Sequence, residues 1–490
     1  MLPNTKNNPL FEKREGKTLL LGYLYFVLLI GAFAFYSNSP LIWLAVFALS
    51  LILILPNHYY LGLPVIIVLT ILFERFFTLQ GLVIDRYVYK LYPLDVVMAV
   101  SFVALAISIK TKEFKLKLKF GWPEWLLVVF MVLVSVYLIR AVFDINADLA
   151  VAFSSFKNYV WYPLIYFFIL LTVRTEKDLK KTVHLILISG AVIIAFLLIG
   201  LARGGGLWTE YTPLSTSGTR YLAGTHAFYM SLCLILGVSL LAFKRLSSVG
   251  FASLIGGFWI IGIVASLMRH LWLDVAFSFV LLFLMLPKEN KKEIYKYANK
   301  AGLIIISSLA IITTAAGLFY LTNFSENFRN QTDNLLTRAT SLINLGEDTS
   351  ATWRLQLWYD AKESWDKNPI FGVGLGKSVL IDTGDWQNFE EIRNMHNSLL
   401  ALLVQLGAVG FSIFFALILA SGLSAWKWIY RHKELLPYYL GLAAGCATFL
   451  FASLFQPYLE TNLVAIFFWI FLGLLRTSAI IKEDENTANQ

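Results

Sequence analysis

The stretch RNMHNSLLALLVQLGAVG, from Arg393 to Gly410, sets an arginine, two asparagines and a histidine at the mouth of a long apolar helix. An imidazole titrates near pH 6.5 and can accept a proton close to neutrality. If the segment is helical throughout, at about 100° per residue, His396 and Gly407 nearly superimpose in projection and Gly410 falls about 40° away. Small residues let membrane helices approach one another closely. The stripe therefore predicts a helix locked against a neighbour, with His396 aimed into the bundle and Asn397 capping the helix or orienting the ring. A polar helix start with an incidental histidine is the plainer alternative. Arginines add a second kind of chemistry, because the planar guanidinium matches phosphate bidentately. Arg220, at the end of a Gly- and Ser-rich loop, and Arg269, in the tight turn SLMRH, are candidates of this kind. Snorkelling to lipid headgroups would explain either one equally well.

The elements that must hold these groups are written in the composition. The chain has 490 residues, 58% hydrophobic and 14% charged, with mean hydropathy +0.68. Soluble domains carry about 25% charged residues, so this is read as an all-α, polytopic integral membrane protein. A helical span needs about 20 apolar residues. About fourteen spans (twelve to fourteen) are predicted, near 18–36, 40–56, 59–73, 91–109, 124–140, 158–173, 182–201, 220–243, 251–267, 270–286, 301–321, 396–422, 436–455 and 459–475. The first apolar run is too long for the core of a signal peptide and lacks a small-residue cleavage site. Cys233 and Cys446 both lie in apolar runs, which argues against a disulfide framework or a zinc site.

Lysines cluster in KTKEFKLKLK, RTEKDLKK, KENKKEIYKYANK and WKWIYRHK, which all fall on one side if the N-terminus is cytoplasmic. That agrees with the positive-inside rule and places both termini inside. It also accounts for the net charge of +9 without nucleic acid. The outer segments favour arginine instead. Chance would explain that bias; a phosphate-bearing ligand met on the outer side would explain it too.

Four regions follow: an N-terminal transmembrane bundle over 1–321, an extracytoplasmic insertion over 322–395, C-terminal transmembrane helices over 396–477 and a cytoplasmic tail over 478–490. The insertion is longer than an ordinary connection and is predicted to be helical. In SATWRLQLWYDAKESWDKNP, Trp353, Leu357, Trp358, Ala361 and Trp365 form one stripe that stops at Pro369. Such a stripe packs against a core or lies on a membrane surface. FGVGLGKS is not a phosphate loop, because Phe371 stands where the first glycine is required. Gly372, Gly374 and Gly376 are read as a tight turn.

His396-Asn397, nine residues, then Gly407-Ala-Val-Gly410 resembles the signature of the bacterial O-antigen ligase and O-antigen polymerase superfamily. The preceding stretch, with Arg354, Trp358, Pro369 and the three glycines, is similar to what stands before that signature in the family, and so is a long outer loop ahead of the last spans. Two features depart from it. Ser266 and Arg269 are separated where the family often has adjacent Ser-Arg, and GTRYLAGTHAF stands in place of the usual Pro-Asn.

The resemblance implies transfer of a glycan from a polyprenyl pyrophosphate carrier, undecaprenyl pyrophosphate in a bacterial inner membrane, to a sugar hydroxyl outside that membrane. The product is O-antigen, capsule or exopolysaccharide. His396 would activate the acceptor for an inverting displacement, and Arg220, Arg269, Arg354 and Arg393 would hold the pyrophosphate. Asn397, Gly407, Gly410 and Trp358 would be structural parts of the motif. No metal and no cofactor are expected, since the outer segments contain no Asp-x-Asp or Glu-x-Asp pair. The implied partners are the lipid-linked glycan, a glycolipid or lipid-linked sugar acceptor, membrane lipid and polysaccharide-assembly proteins. The number of spans leans toward a polymerase. A ligase that attaches polysaccharide to lipid A-core needs the same groups. A lipid-linked glycan transporter or flippase is the rival of another class, although no internal repeat points to one.

Overall fold

Helix dominates the described residues, the form in which a long apolar segment satisfies its own backbone hydrogen bonds. The computed structural model describes residues 21, 22, 25, 59–73, 82–84, 87–89, 92–111, 120–203, 205–206, 220–246, 248–296, 349–382, 387–429 and 433–488. A short 3₁₀ turn, Tyr59–Leu61, leads into α1 (Gly62–Phe73). A two-stranded antiparallel hairpin follows, β1 (Leu82–Ile84) with β2 (Tyr87–Tyr89). Next come α2 (Pro93–Lys110), α3 (Trp122–Val142), α4 (Leu149–Phe156), α5 (Leu164–Thr172), α6 (Glu176–Arg203), α7 (Gly224–Ala242), α8 (Val249–Ala265) and α9 (Arg269–Met285). Beyond these lie α10 (Thr349–Asp366), the hairpin β3 (Ser378–Asp382) and β4 (Gln387–Glu391), α11 (Ser398–Ile429), α12 (Leu436–Ala452) and α13 (Asn462–Ala488).

Among the described residues, four helical stretches are long and apolar enough to cross a membrane: Trp122–Val142, Glu176–Arg203, Gly224–Ala242 and Ser398–Ser424. Shorter apolar helices run over Tyr59–Leu72, Val249–Ala265, Leu436–Ala452 and Asn462–Ser478. The predicted spans at 40–56 and 301–321 lie outside the described residues, as does nearly all of that at 18–36. The span expected at 158–173 is not one helix. Helix starts earlier, at Leu149, and widens into a π-turn over Lys157–Trp161 before α5 begins. The cause is Pro163. It has no N–H to donate, and its ring clashes with the carbonyl four residues back, so the Tyr162 N–H reaches the Lys157 carbonyl at 2.8 Å instead.

The chain divides into two units. The first takes Met1–Ile186, Ile413–Trp428 and Asn462–Gln490. Within it α13 packs on α5 and α1, and the fully buried Trp469 donates to the Asn158 carbonyl at 3.0 Å. Two buried ion pairs pin this unit. Glu124 accepts from its own helix start at Gly121 N (2.6 Å), from Tyr166 Oη (2.8 Å) and from Arg476 Nε (2.8 Å). Asp95 accepts from Tyr92 N at 2.8 Å and pairs with Lys157 Nζ at 2.5 Å. Each carboxylate thus caps a helix N-terminus, where orphan N–H groups favour negative charge, and neutralises a cation as well.

The second unit takes Leu187–Ser412 and Ile429–Thr461. Helices α7, α9 and α12 pack on one another, with α8 laid on α7. Polar links cross the packed faces: Ser239 Oγ to the Pro437 carbonyl at 2.6 Å, and Ser278 Oγ with Thr448 Oγ1 at 2.6 Å. A small lobe belongs to the same unit. In β3, Val379 and Ile381 alternate inward and meet Leu357 and Ala361 of α10, together with Ile392, Met395, Ala401 and Val404. The tryptophan stripe therefore packs on a core, with Trp353, Trp358 and Trp365 lying against it. The described part of the insertion is not purely helical as expected. Its five-residue strands are too short for their alternation to stand out from the surrounding sequence.

Candidate active site

The opening stretch folds in three local steps. Ile392–Asn394 make a 3₁₀ turn. His396 then adopts the left-handed conformation, φ 54°, which costs a residue with a Cβ about 1–2 kcal/mol. Asn397 next caps α11, its Oδ1 accepting from Leu400 N at 3.0 Å. Helix thus begins after His396, at Ser398. The ring is placed by a reversal of the backbone just ahead of the helix.

The helical projection that joined His396 to Gly407 and Gly410 does not hold. Gly407 is itself non-helical, φ 67° and ψ −173°, and it breaks α11. The freed backbone groups bond to the loop that follows α10. Val373 N donates to the Val404 carbonyl (2.9 Å) and Gly374 N to that of Gln405 (3.0 Å). In return Ala408 N donates to Pro369 O (2.9 Å) and Val409 N to Ile370 O (3.1 Å). Gly372 faces the break with φ 68°. A Cβ on Gly407 would stand 2.3 Å from the Ile370 carbonyl oxygen, and one on Gly410 would stand 2.3 Å from Leu406 Cβ of the same helix. The two glycines thus admit a loop into a broken helix, whereas the spacing had suggested contact between two intact ones.

Around His396, Nδ1 lies 3.2 Å from Gln456 Oε1. The Trp353 ring meets the imidazole edge to face, with centroids 5.8 Å apart. Burial, then the charge of Arg354, hold the ring's pKa down at about 4, with the Gln456 hydrogen bond opposing them in part. A second histidine stands in the same setting. His270, in the first turn of α9, lies 3.1 Å through Nε2 from Tyr458 Oη, and the Tyr458 ring stacks on Phe228 at 4.4 Å. The charges of Arg354, Arg220, Arg269 and His396 all act on the His270 ring. Of the four arginines proposed from sequence, Arg354 thus acts on both imidazoles, and Arg220 and Arg269 act on His270. Arg220 is nearly buried at 9% exposure, and its Nη1 lies against the Gly224 start of α7.

The fourth arginine is engaged elsewhere. Arg393 Nη2 donates to the Glu460 carbonyl at 2.6 Å, and its Nε lies 4.0 Å from Glu391. Trp358 braces the backbone next to His396, donating through Nε1 to the Met395 carbonyl at 2.8 Å. His270, Gln456 and Tyr458 were not singled out in the sequence. Their signals were slight: a histidine directly after Arg269 in a tight turn, and the polar string FQPYLE between the last two predicted spans.

A half-buried neutral imidazole beside convergent guanidiniums can take a proton from one group while the cations stabilise negative charge on another. Residues 214–415 match the family model described as O-antigen ligase (Wzy_C). That stretch holds His396, His270, Arg220, Arg269, Arg354 and Arg393. The resemblance to the O-antigen ligase/polymerase superfamily read from the His396 motif is thus supported over that stretch. Among curated proteins, none matches the chain.

Proposed function

We propose that the chain is an inverting, metal-independent membrane glycosyltransferase acting at the extracytoplasmic face of a bacterial inner membrane, with about fourteen spans and both termini in the cytoplasm. Its donor is a glycan on undecaprenyl pyrophosphate, and its acceptor is a sugar hydroxyl on the next lipid-linked repeat. The family match supports the broader statement, a membrane glycosyltransferase of the O-antigen ligase or polymerase type. The observation that carries the narrower one is His396 itself, set by the backbone just ahead of α11 with Nδ1 3.2 Å from Gln456 Oε1 and lying in the field of Arg354, while Arg220 and Arg269 act on His270.

In the proposed step, His396 Nε2 takes the acceptor hydroxyl proton as that oxygen forms its bond to the anomeric carbon. The bond from that carbon to the pyrophosphate oxygen breaks on the opposite face, and its electron pair leaves with the polyprenyl pyrophosphate. Arg354, Arg220 and Arg269 receive the developing charge through fixed, charge-assisted hydrogen bonds. Docking of the donor also prepares the base. The free ring stays unprotonated because burial, and then the charge of Arg354, disfavour its cation. The diphosphate then cancels that charge, and the ring's affinity for a proton rises as the reaction needs it.

His396→Ala tests the reading with purified protein and a lipid-linked repeat unit. General-base catalysis contributes about 10²–10⁴ in rate, so a loss of at least about a hundredfold is expected. Wild-type polymer from this variant would refute the assignment. A ladder from repeat units alone is the result expected of a polymerase. Product formed only when lipid A-core is added would transfer the function to a ligase.

A further inference from the structure

We infer that Gln456 is a positioning residue of this site: its side-chain carbonyl holds His396 in the tautomer with the proton on Nδ1 and leaves the lone pair on Nε2. This rests on the proposed role of His396 as base. An amide oxygen can only accept, so the contact between Gln456 Oε1 and His396 Nδ1, at 3.2 Å, requires an N–H on the ring nitrogen. A neutral imidazole has a single N–H, which leaves Nε2 free to receive a proton.

Both partners are fixed by their backbones. The segment from Arg393 to Ser398 is sewn to the loop after α12 on either side of the ring. Upstream, Arg393 holds the Glu460 carbonyl at 2.6 Å. Downstream, Ser398 N donates to the Ser453 carbonyl at 2.7 Å, and the single hydroxyl hydrogen of Ser398 is shared between the Glu460 carboxylate and the Gln456 carbonyl, which lies 3.2 Å from Oγ. Leu459 N closes the set by donating to Ser398 Oγ at 3.0 Å. The left-handed backbone of His396 is thus held by bonds at both ends, and the amide of Gln456 is presented to the ring between them.

A neutral partner suits this position. From α10 the ring faces Arg354, with Trp353 at its edge. From α9 it faces His270, which Arg269 and Arg220 also influence. Glu460 is bonded by Ser398 and Arg393 is held at the Glu460 carbonyl. An amide fixes the tautomer among these cations without adding charge. A carboxylate in its place would attract a proton to the ring and weaken the cation cluster's hold on a diphosphate.

Two variants test the inference against a merely structural role, with kcat and KM for a lipid-linked repeat measured across pH. Gln456→Leu should lower kcat by about 10–100-fold, the usual cost of losing an orienting partner, with KM within about twofold of wild type. Gln456→Glu keeps the shape, so it folds even if the leucine variant does not. It should move the acid limb of kcat/KM up by at least about one pH unit. An acid limb unmoved in Gln456→Glu, or wild-type kcat in Gln456→Leu, overturns the inference. His396→Ala separates the two levels. If that variant is inactive while both Gln456 variants behave as wild type, only the role of Gln456 falls. If it is active, the base assignment falls and the inference falls with it.

Discussion

The acid side of the pH–rate profile tests the site most directly. An ordinary imidazole, with a pKa near 6.5, loses about tenfold of its neutral form between pH 7.5 and 5.5. His396 is held at about 4 by burial and by Arg354, so over that interval it loses only about 3% of its neutral form. Because a protonated ring cannot accept the acceptor's proton, kcat/KM should be nearly flat from pH 7.5 to 5.5 and fall by half only near pH 4. This ratio reports the free enzyme, before a diphosphate changes the field. Neutralising Arg354 as Arg354→Gln removes the second cause of the low value. Burial is the larger cause, so the variant's limb should rise by about one pH unit, not the whole way to 6.5. At pH 4.5 the wild type should then keep about three quarters of its plateau and the variant about one quarter. Each profile is normalised to its own plateau, since Arg354→Gln also weakens donor binding. The assay is initial-rate transfer from a lipid-linked repeat in nanodiscs. A wild-type limb near pH 6.5, or a variant limb that coincides with the wild type's, would refute the claim that burial and Arg354 together hold the ring's proton affinity down.

Two further outcomes concern the scaffold. Gly407→Ala forces a Cβ into a left-handed position, with the Ile370 carbonyl oxygen only 2.3 Å away. It should cost more than about 2 kcal/mol, visible as a clear drop in the melting temperature of detergent-solubilised protein; an unchanged melting point would contradict the broken-helix geometry. In the first unit, Arg476→Leu strands the fully buried Glu124 and should cost about 3–5 kcal/mol. The double variant Arg476→Leu/Glu124→Leu should recover much of that loss. Equal melting points for Arg476→Leu and wild type would mean the pair does not hold α3 to α13.

Much of the fold was legible because membrane helices announce themselves locally. The lengths of α3 and α7 follow from apolar runs, whereas α6 starts at Glu176, six residues before the predicted span, in a charged stretch that hydropathy does not count; α10 was readable from its tryptophan stripe. The π-turn before α5 was missed, although Pro163 stood in plain view, because a proline in an apolar run reads as a kink without saying how the helix accommodates it. The β3–β4 hairpin was missed because its alternation is only five residues long. In the site, His396 and its capping neighbour Asn397 were legible from the motif. The role of Gly407 was not, because projection onto an unbroken helix assumes the regularity that the glycine removes.

Residue types and their order alone determined a membrane-embedded helical chain, a protonatable group at a helix mouth and loops that differ in their use of lysine and arginine. These are properties of single segments, fixed by hydropathy, periodicity and charge. Only the tertiary structure decided that Arg354 acts on the His396 imidazole, that Arg393 braces the loop that carries Gln456, and that Gln456 and Tyr458 bond the two histidines. Those partners lie 60 and 188 residues apart along the chain. No local pattern encodes such a meeting, because it exists only once the helices and loops of the second unit have packed and their backbone hydrogen bonds have closed.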